Sequence, residues 1–370
     1  MEIGHLALRD FRSYHALDLT LEPGATVFLG ANGQGKTNLL EAVGFLATLG
    51  SHRVSSTAPL IRVGAERALA ACHARDQGRT TSVEIDIHAA GPNRARVNGL
   101  PATPLRSVLG HVKAVIFAPE DVALIKADPQ ARRAFLDQLL VQRTPRLAGV
   151  ISDYERVLKQ RASLLKTARL AGRSASLSTL DAWDAHLARH AASLTQARIA
   201  LVHALAPLAA QAYAEVADGA TFAATYRSSL PDPPAATTPE LEEQILLALL
   251  QARPKEIERG VNLVGPHRDE MDLTISQLPA RSHASHGETW SAALALRLAS
   301  FYLLNTDDDG PPVLLLDDVF AELDSRRRRA LTHVLDQADQ ALITCAVVDD
   351  VPAGLEAARF VVQEGRVERV

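Results

Sequence analysis

Gly30-Ala31-Asn32-Gly33-Gln34-Gly35-Lys36-Thr37 is the stretch on which the reading of this 370-residue chain turns. Glycines at 30, 33 and 35 let the backbone curl so that successive N–H groups point inward at an anion. From the end of such a loop a lysine reaches β- and γ-phosphates, and the Thr37 hydroxyl suits a Mg²⁺ ligand. Residues 25–29 just before it read as a short buried strand. Residues 37–43 just after it, Asn38 included, read as a helix with an apolar stripe whose positive dipole end faces the phosphates. Strand, loop and helix together make a nucleotide cradle from Gly30, Ala31, Asn32, Gly33, Gln34, Gly35, Lys36, Thr37 and Asn38.

A cradle of this kind needs a carboxylate partner, and the sequence supplies it nearly three hundred residues later. Val313-Leu314-Leu315-Leu316-Asp317-Asp318 is an apolar strand ending in two acids. Asp317 is placed to reach Mg²⁺, and Asp318 to act as base or water-orienting group for an attacking water. Upstream, Ala284-Ser285-His286-Gly287-Glu288 opens a helix over 288–304. Ser285 is a suitable N-cap, and Gly287 leaves room for a phosphate to approach bare N–H groups.

Between the two halves the pattern changes. Residues 3–8, 16–21, 25–29, 67–74 with 80–88, 94–97 and 112–117 read as strands, the 67–88 pair as a hairpin. From 120 to 250 the pattern is almost wholly helical, with helices over 130–141, 146–170, 178–216 and 240–251. Gly172-Arg173-Ser174 separates two of them and predicts an antiparallel pair, and Leu230-Pro231-Asp232-Pro233-Pro234 reads as a loop. Strands return at 272–275, 312–316 and 341–347, with a turn at Asp307-Asp308-Asp309-Gly310-Pro311-Pro312 and a closing hairpin of 359–362 with 367–370. The expected architecture is α/β: a nucleotide-binding head with a strand-rich N-terminal lobe, formed by 1–119 and 262–370, interrupted by an α-helical arm over 120–261.

Composition is that of an ordinary globular protein, and the length suffices for two cores. Cys72 and Cys345 stand apart in apolar surroundings, which predicts core thiols in a reducing compartment and argues against a disulfide framework or a zinc site. No secretory signal is apparent, and residues 199–214 contain His203, Pro207 and Gln211, which predicts a cytoplasmic protein without a membrane span. The net charge of −4 does not announce a nucleic-acid binder. Its distribution is more suggestive: residues 126–173 hold eleven Lys/Arg against four Asp/Glu, and residues 53–113 nine against four. Such stretches are either solvated faces or tracks for phosphates.

The order of phosphate loop, serine–glycine signature, double-acid strand and Ala321-Glu322-Leu323-Asp324 resembles the ABC-type ATPases of the SMC class. Within that class the chain is similar to the branch that serves bacterial DNA replication and repair. The resemblance extends from end to end through Leu8-Arg9-Asp10-Phe11-Arg12-Ser13-Tyr14, Thr37-Asn38-Leu39-Leu40-Glu41-Ala42, Pro119-Glu120-Asp121, Arg132-Arg133-Ala134-Phe135-Leu136-Asp137 and Gly265-Pro266-His267-Arg268-Asp269. It implies a head that binds ATP and Mg²⁺ and dimerises around the nucleotide. Ser285, Gly287 and Glu288 of one copy would meet the γ-phosphate held by the other, and Asp324 would lie in the loop that crosses the interface. Lys36 and Asp318 would serve hydrolysis, with Thr37 and Asp317 on the metal. It further implies binding to duplex DNA or to a single/double-strand junction, work with RecR and RecO, and loading of RecA onto gaps.

This chain departs from the common pattern at several points. The signature is Ser-His-Gly-Glu where Ser-Gly-Gly-Gln is common, and the carboxylate after the strand is Asp318 where many relatives carry glutamate, which implies slow turnover. No histidine follows 341–344 where transport ATPases carry one. Phe117-Ala118-Pro119-Glu120 fills the place usually held by a glutamine. Arg12 reaches nucleotide or DNA, or lies on the surface; His267 is a turn histidine or a functional one. Two rival readings are an ATPase subunit driving a membrane transporter and a structural DNA-binding protein in which ATP is static.

Overall fold

A computed structural model describes residues 1–171, 178–217, 219–305, 310–352 and 354–370. By packing, the chain forms two units: Met1–Lys126, Pro207–Ala223 and Ile275–Val370 make the first, and Ala127–Ala206 with Ala224–Thr274 the second.

The chain begins with β1 (Glu2–Phe11), β2 (Tyr14–Thr20) and β3 (Gly24–Leu29), followed by α1 (Lys36–Thr48). Next come β4 (Arg67–Asp76), β5 (Arg79–His88), β6 (Arg94–Val97), β7 (Leu100–Pro101) and β8 (Ala114–Phe117). The helical stretch holds α2 (Val122–Lys126), α3 (Pro129–Arg143), α4 (Leu147–Ala171), α5 (Ser178–Val216), β9 (Phe222–Arg227) and α6 (Thr238–Arg259). The return comprises β10 (Glu270–Ile275), β11 (Leu278–Pro279), α7 (Ala280–His283), α8 (His286–Asn305) and β12 (Val313–Asp317). The chain then closes with α9 (Ser325–Leu335), β13 (Gln340–Cys345), β14 (Ala357–Gln363) and β15 (Arg366–Arg369).

Two six-stranded sheets build the first unit. One is antiparallel, in the order β2-β1-β4-β5-β6-β7, and its strands alternate buried and exposed residues, as a sheet with one wet face must. The other runs β15-β14-β3-β13-β12-β8, with every internal pair from β14 to β8 parallel. All residues of β12 and β13 are buried, which is why they read as unbroken apolar runs. Helix α1 packs on strands of both sheets, and Leu39, Leu40, Val43, Phe45 and Leu46 join one core with Ile3, Leu8, Phe28, Ile85 and Leu315.

The sheet order positions the site. β13 lies between β3 and β12, and the register sets Thr344 beside both Phe28 and Asp317. The loop after β3 and the acids after β12 therefore emerge at the same carboxyl edge, where open α/β sheets bind their ligands.

The second unit is mostly helical. Fully buried Arg161 on α4 donates to Asp184 Oδ1 on α5 at 2.6 Å, to Glu256 Oε2 on α6 at 2.5 Å and to Asn262 Oδ1 at 2.6 Å. Arg253 Nη2 takes the other oxygen of Asp184 at 2.6 Å. These charges are compensated in place, which the interior requires.

Three expectations about elements need correction. β9 lies in the region read as almost wholly helical, between the helices expected over 178–216 and 240–251; its Phe222-Ala223-Ala224-Thr225-Tyr226-Arg227 alternates in burial, but two alanines hide the period of two. α6 runs through Pro254 to Arg259, past the expected end at 251, and stops where Gly260 adopts φ 69. α5 is long and apolar enough to cross a membrane by length and composition, contrary to the reading of residues 199–214. It nevertheless buries Asp184 and Arg198 in ion pairs, the pattern of a protein-core helix. The Gly172-Arg173-Ser174 separator and the Asp307-Asp308-Asp309 turn lie outside the described residues.

Candidate functional site

The phosphate loop is braced by the tip of the β1–β2 hairpin. Tyr14, fully buried, donates its hydroxyl to Gly35 O at 3.1 Å, and Asn38 Nδ2 donates to Ser13 Oγ at 2.9 Å. Gly35 has φ 111, and a Cβ there would sit 2.8 Å from Ser13 Oγ and 3.1 Å from the Tyr14 hydroxyl. Backbone conformation and space thus both demand glycine. On the other side Glu364 N, in the β14–β15 turn, donates to Gln34 Oε1 at 2.8 Å. Lys36, 3 % exposed, folds back over the loop and donates to Gly30 O at 2.7 Å and Ala31 O at 3.2 Å.

Asp317 stands against the Thr37 end of the loop. Its Oδ1 accepts from Thr37 Oγ1 at 2.9 Å and from Thr344 Oγ1 at 2.8 Å. His52 Nε2 lies 3.9 Å from Oδ2 and has no hydrogen-bond partner. Burial works against the ionised acid, but His52, Thr344 and Thr37 outweigh it and hold its pKa below the usual range. A charged carboxylate against a threonine hydroxyl is the donor set of a hard cation, so Thr37 and Asp317 fit Mg²⁺. Asp318 behaves oppositely. Burial raises its pKa, Lys36 opposes the rise, and Asp317 and Asp350 add to it. Its backbone has φ 50, and its N–H donates to Thr344 Oγ1 at 2.8 Å, so Thr344 touches both acids.

The signature turn is self-contained. Ser285 N and Oγ donate to Glu288 Oε2 at 2.8 and 2.7 Å, and Glu288 N returns a bond to Ser285 Oγ at 3.3 Å. This capping box starts α8 and keeps the Glu288 carboxyl below its usual pKa. Ser285 and His286 are exposed. Asp324 caps α9, accepting from Arg326 N at 3.1 Å and Arg327 N at 2.9 Å. Among the described hydrogen bonds, none links Ser285, Gly287, Glu288 or Asp324 to the phosphate loop, whereas Lys36, Thr37, Asp317 and Asp318 meet around one corner of the sheet. His52 and Thr344 are additions to the site. Thr344 carried a signal, a lone hydroxyl ending an apolar strand; His52 sits in a loop with no pattern around it.

The other motifs prove to be scaffolding. Arg12 faces inward and not toward solvent: Nε and Nη2 grip the fully buried Glu41 at 2.7 and 2.5 Å. Asp121 of Pro119-Glu120-Asp121 accepts from Arg297 on α8 at 2.6 and 3.0 Å, while Glu120 is exposed. In the second unit Arg132 and Glu270 form a two-pronged pair at 2.8 Å, and Asp137 pairs with Arg198, which also donates to Pro266 O at 2.7 Å. His267 is a structural turn residue. Its Nδ1 lies 2.6 Å from the Tyr154 hydroxyl and its Nε2 3.3 Å from Asn262 O, and burial lowers its pKa to about 4. Gly265, at φ 126, is required because a Cβ would lie 2.8 Å from that same hydroxyl.

The basic stretch over 126–173 divides in the same way. Arg132 and Arg161 are buried in ion pairs, and Lys126 Nζ donates to Ala284 O at 2.7 Å. Arg143, Arg146, Arg156, Lys159, Lys166 and Arg169 remain exposed.

A loop, two acids and a separate exposed signature on this sheet order define an ABC-type ATPase head of the SMC class. The family model described as RecF/RecN/SMC N terminal domain matches residues 2–351. The chain belongs to this family, and within it to RecF. It is 56 % identical over 375 residues to the DNA replication and repair protein RecF of Streptomyces avermitilis and 55 % identical over 377 residues to that of Frankia alni, with all of each chain covered. The solved recombination mediator protein RecF-ATP of the RecFOR pathway superposes with a TM-score of 0.92 at 26 % identity, covering 100 % of this chain and 97 % of that one. The Smc head domain from Pyrococcus furiosus shares the fold, with a TM-score of 0.53 at 15 % identity over 100 % of this chain and 95 % of that one.

Proposed function

We propose that this chain is an ATP-controlled DNA-binding protein of recombinational repair, in which ATP joins two copies and slow hydrolysis releases them. One observation carries the reading. The phosphate loop draws its described partners from the β1–β2 hairpin, the segment after α1, β12 and the C-terminal hairpin, while Ser285 stands exposed with hydrogen bonds inside its own turn. A nucleotide held at Lys36 therefore leaves its γ-phosphate open to Ser285, Gly287 and Asp324 of a second copy, which yields two equivalent sites in a symmetric dimer.

Within each site Lys36 would turn from the Gly30 and Ala31 carbonyls to the β- and γ-phosphates. Thr37 and Asp317 would hold Mg²⁺, which when bound neutralises charge on the phosphates. Asp318, with its raised pKa, would orient the attacking water and accept its proton. ATP supplies contacts across the dimer that ADP lacks, so hydrolysis removes differential affinity for the closed state. DNA, as duplex or at a single/double-strand junction, would lie along the exposed basic rows. Work with RecR and RecO and the loading of RecA belong to this reading, which is supported by a relative of known structure described as a recombination mediator in the RecFOR pathway. In this division of labour the first unit is the nucleotide head, expected over 1–119 and 262–370, and the second is the helical arm, expected over 120–261.

Molecular mass in solution tests the reading. The wild type should double in mass with ATP and not with ADP. Lys36→Ala should lose nucleotide binding altogether, because the phosphates lose their charge partner. Ser285→Arg should bind ATP as a monomer and fail to dimerise; a Ser285→Arg protein that dimerises normally with ATP refutes the trans-acting signature.

A further inference from the structure

We infer that Arg327 is a positioning residue for the ATP-dependent dimer: its guanidinium clamps the signature turn to the loop carrying Asp324, so that both face a second copy as one surface. The inference rests on the proposed trans role of Ser285.

The clamp uses three nitrogens for three acceptors. Nη2 donates to Gly287 O at 2.8 Å, Nε donates to Ser291 Oγ at 3.0 Å, and Nη1 lies 3.4 Å from Asp324 Oδ2. A planar guanidinium offers its donors in a fixed fork, so binding three groups fixes them relative to one another. Ser291, 1 % exposed, passes the constraint on by donating to Val216 O at the end of α5 at 3.4 Å. Asp324 is held from two further directions by the N–H groups of Arg326 and Arg327.

Gly287 acquires a second reason to be glycine. A Cβ there would lie 3.3 Å from Arg327 Nη2, tighter than ordinary contact. The missing side chain lets the guanidinium come close as well as leaving the turn open. Arg327 is itself only 16 % exposed. It acts through the residues it holds and not on phosphate. Without it the two loops would each be ordered separately on association, and that ordering would be drawn from the affinity of the dimer.

The experiment compares Arg327→Ala, Arg327→Lys and Ser285→Arg by two measurements. One is fluorescent ATP-analogue affinity at protein concentrations where the chain is monomeric; the other is the dimer dissociation constant in ATP by sedimentation. Arg327→Ala should weaken the dimer about tenfold or more while nucleotide affinity moves by less than about twofold. Arg327→Lys keeps the charge and the stem but not the fork, and should fall between. Wild-type dimerisation in Arg327→Ala overturns the inference, as does a nucleotide affinity that falls in step with dimerisation, since that marks a residue needed only for folding. Should Arg327→Ala fail to fold, Arg327→Lys decides on the same two measurements. If Ser285→Arg fails to dimerise while both Arg327 variants match wild type, this inference alone falls; if Ser285→Arg dimerises normally, the trans reading falls with it.

Discussion

Asp317 and Asp318 are neighbours in sequence with opposite electrostatics: burial raises the second, helped by Asp317 and Asp350, whereas His52, Thr344 and Thr37 overcome burial at the first. Thr344 gives its hydroxyl hydrogen to Asp317 Oδ1 and accepts the backbone N–H of Asp318. Asp317 is stabilised as an anion, suited to a cation, whereas Asp318 is left in a buried setting that favours the proton. A carboxylate with a raised pKa is a better proton acceptor from water. Asp318→Asn removes that acceptor at constant shape. It should lower ATP hydrolysis about a hundredfold or more while the ATP-bound dimer persists. Phosphate release and sedimentation check this together: near-normal turnover would take the water-activating role from Asp318. The pairing of the two acids was legible in the sequence. Their divergence was not, because His52, Thr37 and Thr344 reach Asp317 only once the chain has folded, Thr344 through the parallel register of β12 and β13.

At the scale of elements, the motifs that carry family likeness split into two groups. Those around the phosphate loop touch the site: Ser13 and Tyr14 press on Gly35, and Asp317 reaches Thr37. Those in the second unit brace one another, α3 holding the turn after α6 through Arg133 to Asp269 O at 2.9 Å and Arg132 to Glu270. Strand–loop–helix and the double-acid strand could be read from the chain because local periodicity and turn chemistry specify them. The role of Gly265-Pro266-His267-Arg268 could not, because it depends on Tyr154 and Arg198, distant in sequence. The bracing has a pH signature. His267 is pushed to about 4 by burial, with Asn262 and Asp269 opposing and Arg268 and Arg133 adding to the depression. Its ordinary value near 6.5 governs the unfolded chain. The unfolded state therefore binds more protons between these values, so the contribution is complete above about 6.5 and is lost as pH falls toward 4. From pH 7 to pH 5 the loss should be about 2 kcal/mol. Denaturant titrations at the two pH values should show a smaller difference in His267→Asn than in wild type; an equal difference would place the acid sensitivity elsewhere.

For the whole molecule, the net charge of −4 repels DNA, so any duplex must be held by local rows of positive charge. The sequence counted eleven basic residues over 126–173, but burial takes Arg132 and Arg161 into ion pairs and turns Lys126 to backbone carbonyls. What remains on α4 is a row of Arg156, Lys159, Lys166 and Arg169, all exposed, at intervals of three, seven and three residues. Those intervals return side chains to neighbouring positions on one helical face, with rises of about 4.5, 10 and 4.5 Å. Such a row matches a phosphate backbone and reads no bases. Arg156 is already engaged with Asp153 at 2.8 Å, which makes Lys159 and Lys166 the better test. Each phosphate contact contributes about 0.9 to the slope of log affinity against log salt. Lys159→Ala with Lys166→Ala should therefore reduce the slope by about 2 and weaken duplex binding alike for every sequence. Nucleotide binding, set at the carboxyl edge of the parallel sheet, should not change. An unaltered salt slope would move the DNA track off α4, toward the exposed Arg143 and Arg146 or the exposed arginines among residues 53–113.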